Sequence, residues 1–259
     1  YASPRVDAHS DGNEITDPVT ADVWAEHAIW PQDPQIPLAL AGGVTAQHIL
    51  PGSANLIGGR SVSLKNVPGR SPADMKFPAA PPGLKMACGE NPKRTYGEEK
   101  GRAPSTRMGN IALTRKAWTE ALDYRREWDE YERAREAGKD KSQPDRDTEK
   151  ETLLGVLDGR ILVQNHCYRA DEMLTMIDIA REFGYKIAAF HHAVEAYKIA
   201  DVLAREGICS DIWADSWGSK MDALDGILEN AAILQKAGAC VVIHSDSSQV
   251  IQRLNQEAA

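Results

Sequence analysis

Three apolar segments of the sequence end in side chains that can bind a metal ion. They are ILVQNHC, which contains His166; KIAAFHH, which ends in His191 and His192; and ACVVIHSD, which contains His244 and Asp246. Neutral imidazoles together with a carboxylate suit Zn²⁺, and a carboxylate beside the metal can accept a proton from bound water. These residue types predict metal-assisted hydrolysis if the fold brings the three segments to one point.

The elements around these segments alternate regularly from Ile161 onward. Four apolar strand-like runs are each followed by an amphipathic helical pattern, and a glycine ends three of the helices: Gly184, Gly207 and Gly238. This alternation predicts a parallel sheet that is buried on both faces. The candidates are a (β/α)₈ barrel and a doubly wound open sheet. Since no GxGxxG run follows a strand, the sequence gives no support to a dinucleotide site.

We expect a (β/α)₈ barrel, because its active site lies at the carboxyl ends of the strands, where the polar residues are. Side chains alternate along a strand, so only one of His191 and His192 is expected to point into the barrel. His244 shares a face with Asp246, either as a functional group or as a buried, hydrogen-bonded histidine. Asp215, after the third strand, is either a ligand or a helix cap.

The first 160 residues are less regular. Their pattern predicts a helix that ends at Gly42, a strand at about 44–50, a second strand at about 84–88 and a polar loop at 95–107. A long charged helix and a second helix follow, and we interpret residues 108–158 as a helical insertion. The insertion lies within a single domain that spans residues 1–259.

The composition excludes several classes of protein. The chain has 259 residues and a formal net charge of −8, which argues against nucleic acid or an anionic membrane as a partner. No apolar run approaches the roughly 18 residues of a membrane helix, and no secretory signal opens the chain. We expect a cytoplasmic protein that acts on a small molecule, and a homo-oligomer is compatible with the sequence.

Two further features concern the cysteines and the ends of the chain. The four cysteines are far apart and without a CxxC spacing, which predicts buried, unpaired thiols in a reducing compartment. The chain begins without Met and stops within a helical pattern. We therefore expect an internal piece of a longer protein, with a barrel incomplete at both ends.

Several segments resemble the amidohydrolase superfamily, most closely its imidazolonepropionase-like and prolidase-like branch. NHCYRADEM, FHHAVEAYKIADVLAREGI and IHSDSSQVIQRLNQEAA are similar to the later strands of that barrel. LALAGGVTAQHILPGS resembles the second strand. GLKMACGENPKR resembles the strand that carries a metal-bridging carboxylated lysine in the prolidase-like enzymes. The resemblance covers most of the chain except the charged helix around residues 110–145.

The resemblance implies a set of metal ligands. His166, His192 and Asp246 match the family's ligands on strands five, six and eight, and Asp246 also matches the proton-transfer group. Lys85 matches the carboxylated lysine, and Glu90 competes with it for that role. His191 and His244 remain candidates as ligands or as supporting groups. The implied cofactor is a divalent metal, most often Zn²⁺, with one or two ions bound.

The sequence departs from the family at the first strand, which usually carries two histidines as HxH. Here VDAHSDGNE has His9 followed by Asp11. Either the HxH strand precedes Tyr1, or His9 and Asp11 are ligands on a divergent first strand.

The resemblance implies hydrolysis of a carbon–nitrogen bond by metal-activated water, in a cyclic amide, an amide or a dipeptide-like substrate. A barrel that kept the fold and part of the ligands for binding alone is the alternative. A second alternative is an open-sheet enzyme of other chemistry, which would keep the candidate ligands far apart. Deamination fits poorly, because Glu172 lies six residues after His166, too far for the expected HxxE proton shuttle.

Overall fold

The main element of the fold is a six-stranded sheet. In residues 10–259, which the computed structural model describes, the strands are β1 (Ala46–Ile49), β2 (Ile57–Arg60), β3 (Val62–Lys65), β4 (Gly83–Ala87), β5 (Leu162–Cys167), β6 (Ile187–His192), β7 (Cys209–Ile212) and β8 (Val241–Ile243). The sheet has the order β2-β4-β5-β6-β7-β8, in which β2 is antiparallel to β4 and all later neighbours are parallel. A separate antiparallel pair joins β1 to β3.

Helices connect the parallel strands, as the alternating pattern predicts. The α-helices are α1 (Gln35–Ala41), α2 (Pro72–Met75), α3 (Glu90–Lys93), α4 (Arg107–Glu136), α5 (Thr148–Leu157), α6 (Ala170–Phe183), α7 (Ala200–Glu206), α8 (Asn230–Lys236) and α9 (Leu254–Glu257). Short 3₁₀ turns lie at Ala25–Ala28, Ala196–Ile199, Met221–Ala223 and Val250–Arg253. A π-helical turn at Arg94–Glu99 replaces the start of the predicted polar loop.

The parallel strands follow one another in chain order from β4 to β8 without reversal. A doubly wound sheet reverses its order at the switch point, so the described sheet does not have that topology. The predicted parallel α/β arrangement is confirmed. Closure into a barrel is not observed within residues 10–259, where β2 and β8 are the edge strands.

Two predicted elements differ from the structure. The strand expected at about 44–50 is present as β1, but it pairs with β3 instead of joining the main sheet. The helix expected from Met221 to Gly238 is interrupted, and only α8 is regular. Within the interrupted segment, the Trp217 side chain occupies the place that a Cβ of Gly226 would take, a close contact that only glycine allows.

Helix α4 has a buried half and an exposed half. Its first half packs on the core, where Trp118 is fully buried and its ring lies 4.5 Å from that of Tyr185. Thr106 caps the helix by accepting a hydrogen bond from the Gly109 N–H at 3.0 Å. Beyond Tyr124 the surface is mostly exposed and charged. The first half thus serves as part of the connection from β4 to β5, and the assignment of residues 108–158 as an insertion stays a prediction.

The cysteines are paired, which corrects the expectation of free thiols. Cys88 is joined to Cys167 and Cys209 to Cys240, with Cα atoms 5.4 and 4.4 Å apart. The register explains both pairs, because each places its two cysteines on neighbouring parallel strands or directly beyond their ends. The paired cysteines are 79 and 31 residues apart in the sequence, so their spacing does not indicate that they are close in space.

None of the helices in residues 10–259 is both long enough and apolar enough to cross a bilayer. The cytoplasmic location stays a prediction.

Candidate metal centre

The strand register builds a polar face on the sheet. Leu84 and Met86 of β4 lie in the apolar core, so the alternate residue Lys85 belongs to the opposite face. Register partners on β5, β6 and β7 extend this face as a row of polar side chains: Gln164, His166, His191 and Asp211. The polar strand ends predicted from the sequence therefore share one surface.

His192 joins this face through an unusual backbone conformation. Its φ is +70° and that of Ala193 is +37°, a left-handed region that costs a non-glycine residue about 1 kcal/mol or more. The His192 ring lies 4.6 Å from the His166 ring and 6.4 Å from the His191 ring. The expectation that only one of the two adjacent histidines faces the site is wrong, because alternation holds only for extended backbone.

His192, His244 and Asp246 form the group best placed to hold a metal. One ligand atom from each lies within 4.8 Å of the others. No other group of three or more His, Cys, Asp or Glu residues within 10–259 meets this condition. His192 Nδ1 and Asp246 Oδ2 are 3.3 Å apart. Two ligand atoms on a tetrahedral zinc with bonds of 2.0–2.1 Å would be about 3.4 Å apart. The His166 ring lies beside the His192 ring, so the candidate ligands converge on one point. An open-sheet enzyme of other chemistry would keep them far apart.

The imidazoles of the site carry unsatisfied nitrogens. His166 Nδ1, His192 Nδ1 and His244 Nε2 are buried and make no hydrogen bond within the described part of the chain. Asp246 Oδ2 lies near His192 Nδ1, but not in hydrogen-bonding geometry. Such an atom costs about 1–3 kcal/mol when it is left without a partner. Burial lowers the pKa of all three histidines, and Lys85 adds to the effect. Neighbouring histidines lower the pKa of His166 and His192 further, whereas the Asp246 carboxylate opposes the change at His244. Neutral imidazoles with free nitrogens are the form that binds a metal, so these residues fit a divalent ion.

Lys85 lies beside this group in a fully buried position. Its Nζ donates to the Pro51 carbonyl oxygen at 3.2 Å. Burial lowers the pKa of Lys85 to about 8, and the Asp246 carboxylate opposes this change. A lysine that loses its proton this readily has the reactivity that carboxylation by CO₂ requires, although carboxylation itself stays a prediction.

Comparisons with known proteins show which proteins the chain is similar to. No family model matches the chain. The curated amidohydrolase tasK of Hapsidospora irregularis is 36% identical over 240 residues, which are 88% of this chain and 23% of the relative. A crystal structure of an amidohydrolase from Thermotoga maritima MSB8 matches with a TM-score of 0.89 and 37% identity, over 99% of this chain and 65% of that one. The chain is therefore similar over most of its own length to two proteins named amidohydrolases. It spans about a quarter of the curated relative's length.

Three of the other predicted ligands, Glu90, Asp215 and Asp11, are not part of the metal-capable group among the described residues. The Glu90 N–H donates to Asp222 Oδ2, and the Glu90 carboxylate is not part of the metal-capable group among the described residues. Asp215 is exposed and accepts a hydrogen bond from Ser216. Asp11 is also exposed, and His9 lies outside the described residues.

Strand β7 contributes Asp211 to the site, and Asp215, which follows this strand, does not reach it. Asp211 Oδ2 lies 3.3 Å from His191 Nδ1, and Gln164 Oε1 lies 2.7 Å from His191 Nε2. His191 thus has partners on both ring nitrogens, which suits a supporting group better than a ligand. Burial raises the pKa of Asp211 to about 6. The signal in the sequence was a carboxylate inside the strand-like run ICSDIWA.

The rim of the site contains residues that no sequence motif indicated. Asn91 Nδ2 lies 3.3 Å from His166 Nε2, and Lys220 Nζ donates to Asn91 Oδ1 at 2.9 Å and to the Tyr168 hydroxyl at 3.0 Å. These residues are on three separate segments, so their proximity has no sequence signature.

An ion-pair network between the partly exposed Arg107 and two buried carboxylates holds the loop that carries Lys220. Arg107 donates to Glu172 Oε1 at 2.6 Å and to Asp222 Oδ1 at 2.5 Å. Asp222 is 2% exposed, so this pair ties the loop after β7 to the start of α4. Glu172 is therefore engaged in an ion pair, which adds to the case against its use as a deaminase shuttle.

Proposed function

We propose that this chain contributes the metal site of a hydrolase that cleaves a carbon–nitrogen bond in a small molecule, with water as the nucleophile. The observation that carries the proposal is the convergence of three imidazoles, each with a buried nitrogen that makes no hydrogen bond, beside the Asp246 carboxylate. The relationship to amidohydrolases supports the same class of reaction. The parallel strands in chain order support a (β/α)₈ barrel as the complete fold.

His192, His244 and Asp246 would hold a divalent metal, with His166 and a carboxylated Lys85 as further ligands. Zn²⁺ suits this set of nitrogen and oxygen donors. When bound, the metal supplies a lowered pKa for water and polarises the carbonyl group of the substrate. Whether one or two ions bind depends on Lys85, because a carboxylated lysine can bridge two metals.

The Asp246 carboxylate is suited to proton transfer. Its side chain is 61% exposed, whereas the His192 side chain beside it is 7% exposed, so Asp246 meets both solvent and the buried imidazoles. It would accept a proton from the attacking water and deliver it to the leaving nitrogen. A carboxylate in this double role accounts for hydrolysis of an amide, a cyclic amide or a dipeptide-like bond, as in the imidazolonepropionase-like and prolidase-like branch.

A binding protein that does not turn over is the second candidate. The observation in its favour is the sequence around His9, which lacks the second histidine of an HxH pair. Metal retention without hydrolysis of any amide would favour this candidate.

Metal content by elemental mass analysis tests the proposal. We expect stoichiometric divalent metal in the wild-type chain and in His27→Ala, a control at a histidine whose side chain is 74% exposed. His192→Ala should lose the metal because it removes a central ligand. Asp246→Asn should reduce hydrolysis of an amide panel by about 10²-fold or more. Equal metal content in all variants, or its absence from the wild type after zinc loading, would contradict the proposed site.

A further inference from the structure

We propose that the Cys88–Cys167 disulfide is a modification site, at which a small peptide-like thiol of the glutathione kind exchanges with Cys88 and forms a mixed disulfide. The thiol enters a cavity between α4 and α6, and none of the candidate metal ligands lines this cavity. The inference goes beyond the proposed hydrolase function and does not depend on it.

The two disulfides differ in their surroundings. Cys240 is exposed just before β8, so the Cys209–Cys240 bond is open to solvent. Cys88 is 4% exposed, and Cys167 is fully buried at the end of β5. A thiol in bulk solvent therefore meets the Cys209–Cys240 bond directly, but it needs a path to the Cys88–Cys167 bond.

A cavity of about 510 Å³ supplies this path. Its walls are the first turns of α4 and α6 together with the end of β4, and Cys88 belongs to the lining whereas Cys167 does not. Met108 and Arg115 of α4 line the cavity with exposed side chains, so it opens to solvent. A thiol in the cavity therefore meets the sulfur of Cys88, which defines the atom that is attacked.

The cavity wall contains a hydrogen-bond acceptor without a partner. Asn110 lines the cavity and is 3% exposed; its Nδ2 donates to the Gly89 carbonyl oxygen at 2.9 Å, and its Oδ1 makes no hydrogen bond among the described residues. A peptide N–H of a bound thiol would satisfy this acceptor. Arg115 pairs with Glu182 through Nε and has further N–H donors for a carboxylate of the same ligand. These partners favour a peptide-like thiol over a simple alkyl thiol.

The groups around the disulfide match the steps of thiol exchange. Glu172 Oε2 lies 3.9 Å from Cys88 Sγ, whereas Glu172 Oε1 accepts a hydrogen bond from Arg107. Oε2 can take the proton of the incoming thiol, whose sulfur then forms a bond with Cys88 Sγ. The Cys88–Cys167 bond breaks, and its electron pair leaves on Cys167 Sγ, which lies 3.9 Å from the Asn165 amide nitrogen. The small thiol is oxidised to the mixed disulfide and Cys167 is reduced, so the step needs no other oxidant.

The bond that is exchanged adjoins the metal centre. Cys167 directly follows His166, and the Cys88 N–H donates to the His166 carbonyl oxygen at 2.9 Å. Exchange therefore removes a covalent link between the strand ends that carry Lys85 and His166.

Peptide mapping can follow each cysteine separately, because trypsin places every one of them in a peptide of its own. These peptides are residues 86–93 for Cys88, 161–169 for Cys167, 206–220 for Cys209 and 237–253 for Cys240. Free thiols are trapped with N-ethylmaleimide in acid, and mass spectrometry measures the trapped and the glutathione-bound fraction of each peptide.

The first measurement is which sulfur forms the mixed disulfide. Cys167→Ser and Cys88→Ser each keep one thiol of the pair and are incubated with glutathione disulfide, so the product cannot revert to the internal bond. We expect Cys88 in Cys167→Ser to react about 10-fold faster or more than Cys167 in Cys88→Ser, because access decides the rate. Equal rates would mean that exchange occurs through unfolding, which would overturn the proposed site.

The second measurement is the rate at which glutathione reduces each disulfide of the intact protein without oxygen. Ala112→Trp, at an exposed residue of the cavity wall, should slow reduction of the Cys88–Cys167 bond by about 10-fold and leave the Cys209–Cys240 bond unaffected. Thr119→Trp, exposed on the same helix outside the cavity lining, is the matched control and should slow neither. An undiminished rate in Ala112→Trp, or a Cys88–Cys167 bond that glutathione does not reduce in the wild type, would contradict entry through the cavity.

Glu172→Gln tests the proton acceptor, because the amide oxygen can still accept from Arg107. Reduction of the Cys88–Cys167 bond should be slower by about 10-fold or more at pH 7, and nearly unchanged at a pH where glutathione is already a thiolate. An effect that is independent of pH would refute this role of Glu172.

Comparison of glutathione with 2-mercaptoethanol tests the class of ligand. The ratio of the two rates at the Cys88–Cys167 bond is divided by the same ratio at the Cys209–Cys240 bond, which removes the difference in intrinsic reactivity. We expect a quotient of about 5 or more, the effect of one partly exposed ion pair. A quotient near one would refute the preference for a peptide-like thiol.

Discussion

Replacement of His192 by glycine and by alanine tests the backbone conformation that brings this residue to the site. Its φ of +70° is accessible to glycine without strain and costs alanine about 1 kcal/mol. Both substitutions remove the same ring and the same contacts with His166 and Trp213. We therefore expect the glycine variant to be more stable to unfolding than the alanine variant by about 1 kcal/mol.

The neighbouring His191 provides the matched control. It is also buried in β6, but unlike His192 it does not have a positive φ. Glycine in a strand is less stable than alanine by about 0.5–1 kcal/mol. The difference in free energy of unfolding between the glycine and the alanine variant should therefore have opposite signs at positions 192 and 191. The combined difference of about 2 kcal/mol corresponds to about 4–8 °C in melting temperature for a domain of this size.

Urea unfolding followed by circular dichroism measures the four free energies of unfolding. EDTA is present so that bound metal does not stabilise one variant more than another. Equal dependence on urea among the variants would justify comparing their midpoints. If His192→Ala were as stable as His192→Gly while position 191 behaved as expected, the backbone at 192 would be extended. The His192 ring would then lie on the opposite face of the sheet, away from the metal centre.

Two further predictions concern stability away from the site. Trp118→Ala should lower the free energy of unfolding by about 3–5 kcal/mol because it empties a fully buried position. Trp128→Ala, at a half-buried position, should lower it clearly less in the same urea measurement. Equal costs would mean that α4 does not pack on the core. Burial and nearby carboxylates raise the pKa of Glu149 to about 7, above its unfolded value near 4.5, so its contribution to stability is lost as pH rises through this range. Glu149→Gln should therefore stabilise the protein at pH 8 and leave it unchanged at pH 4, by less than about 1 kcal/mol because solvent screens this half-exposed group. A gain that is equal at both pH values would contradict the assigned cause.

The cysteines show where prediction from sequence stops. Each cysteine lies in or beside a short apolar run, which is compatible with a buried free thiol. Disulfide pairing depends on which strands are neighbours and on their register. The residues between two cysteines in the sequence indicate neither. Cys88 and Cys167 meet because β4 and β5 pair with Ala87 opposite His166. The same reasoning explains why Asp211, and not the more conspicuous Asp215, reaches His191.

The sequence by itself determined the alternation of strands and helices after Ile161 and the polar character of the strand ends, because both arise from local periodicity and residue type. His166, His192, His244 and Asp246 were therefore predicted as candidates from the strand ends. The tertiary structure alone decided that both adjacent histidines face the site, because that depends on a positive φ which surrounding contacts maintain. It also decided the place of Lys220, since long-range packing of a loop between β7 and α8 brings this residue to Tyr168 and Asn91.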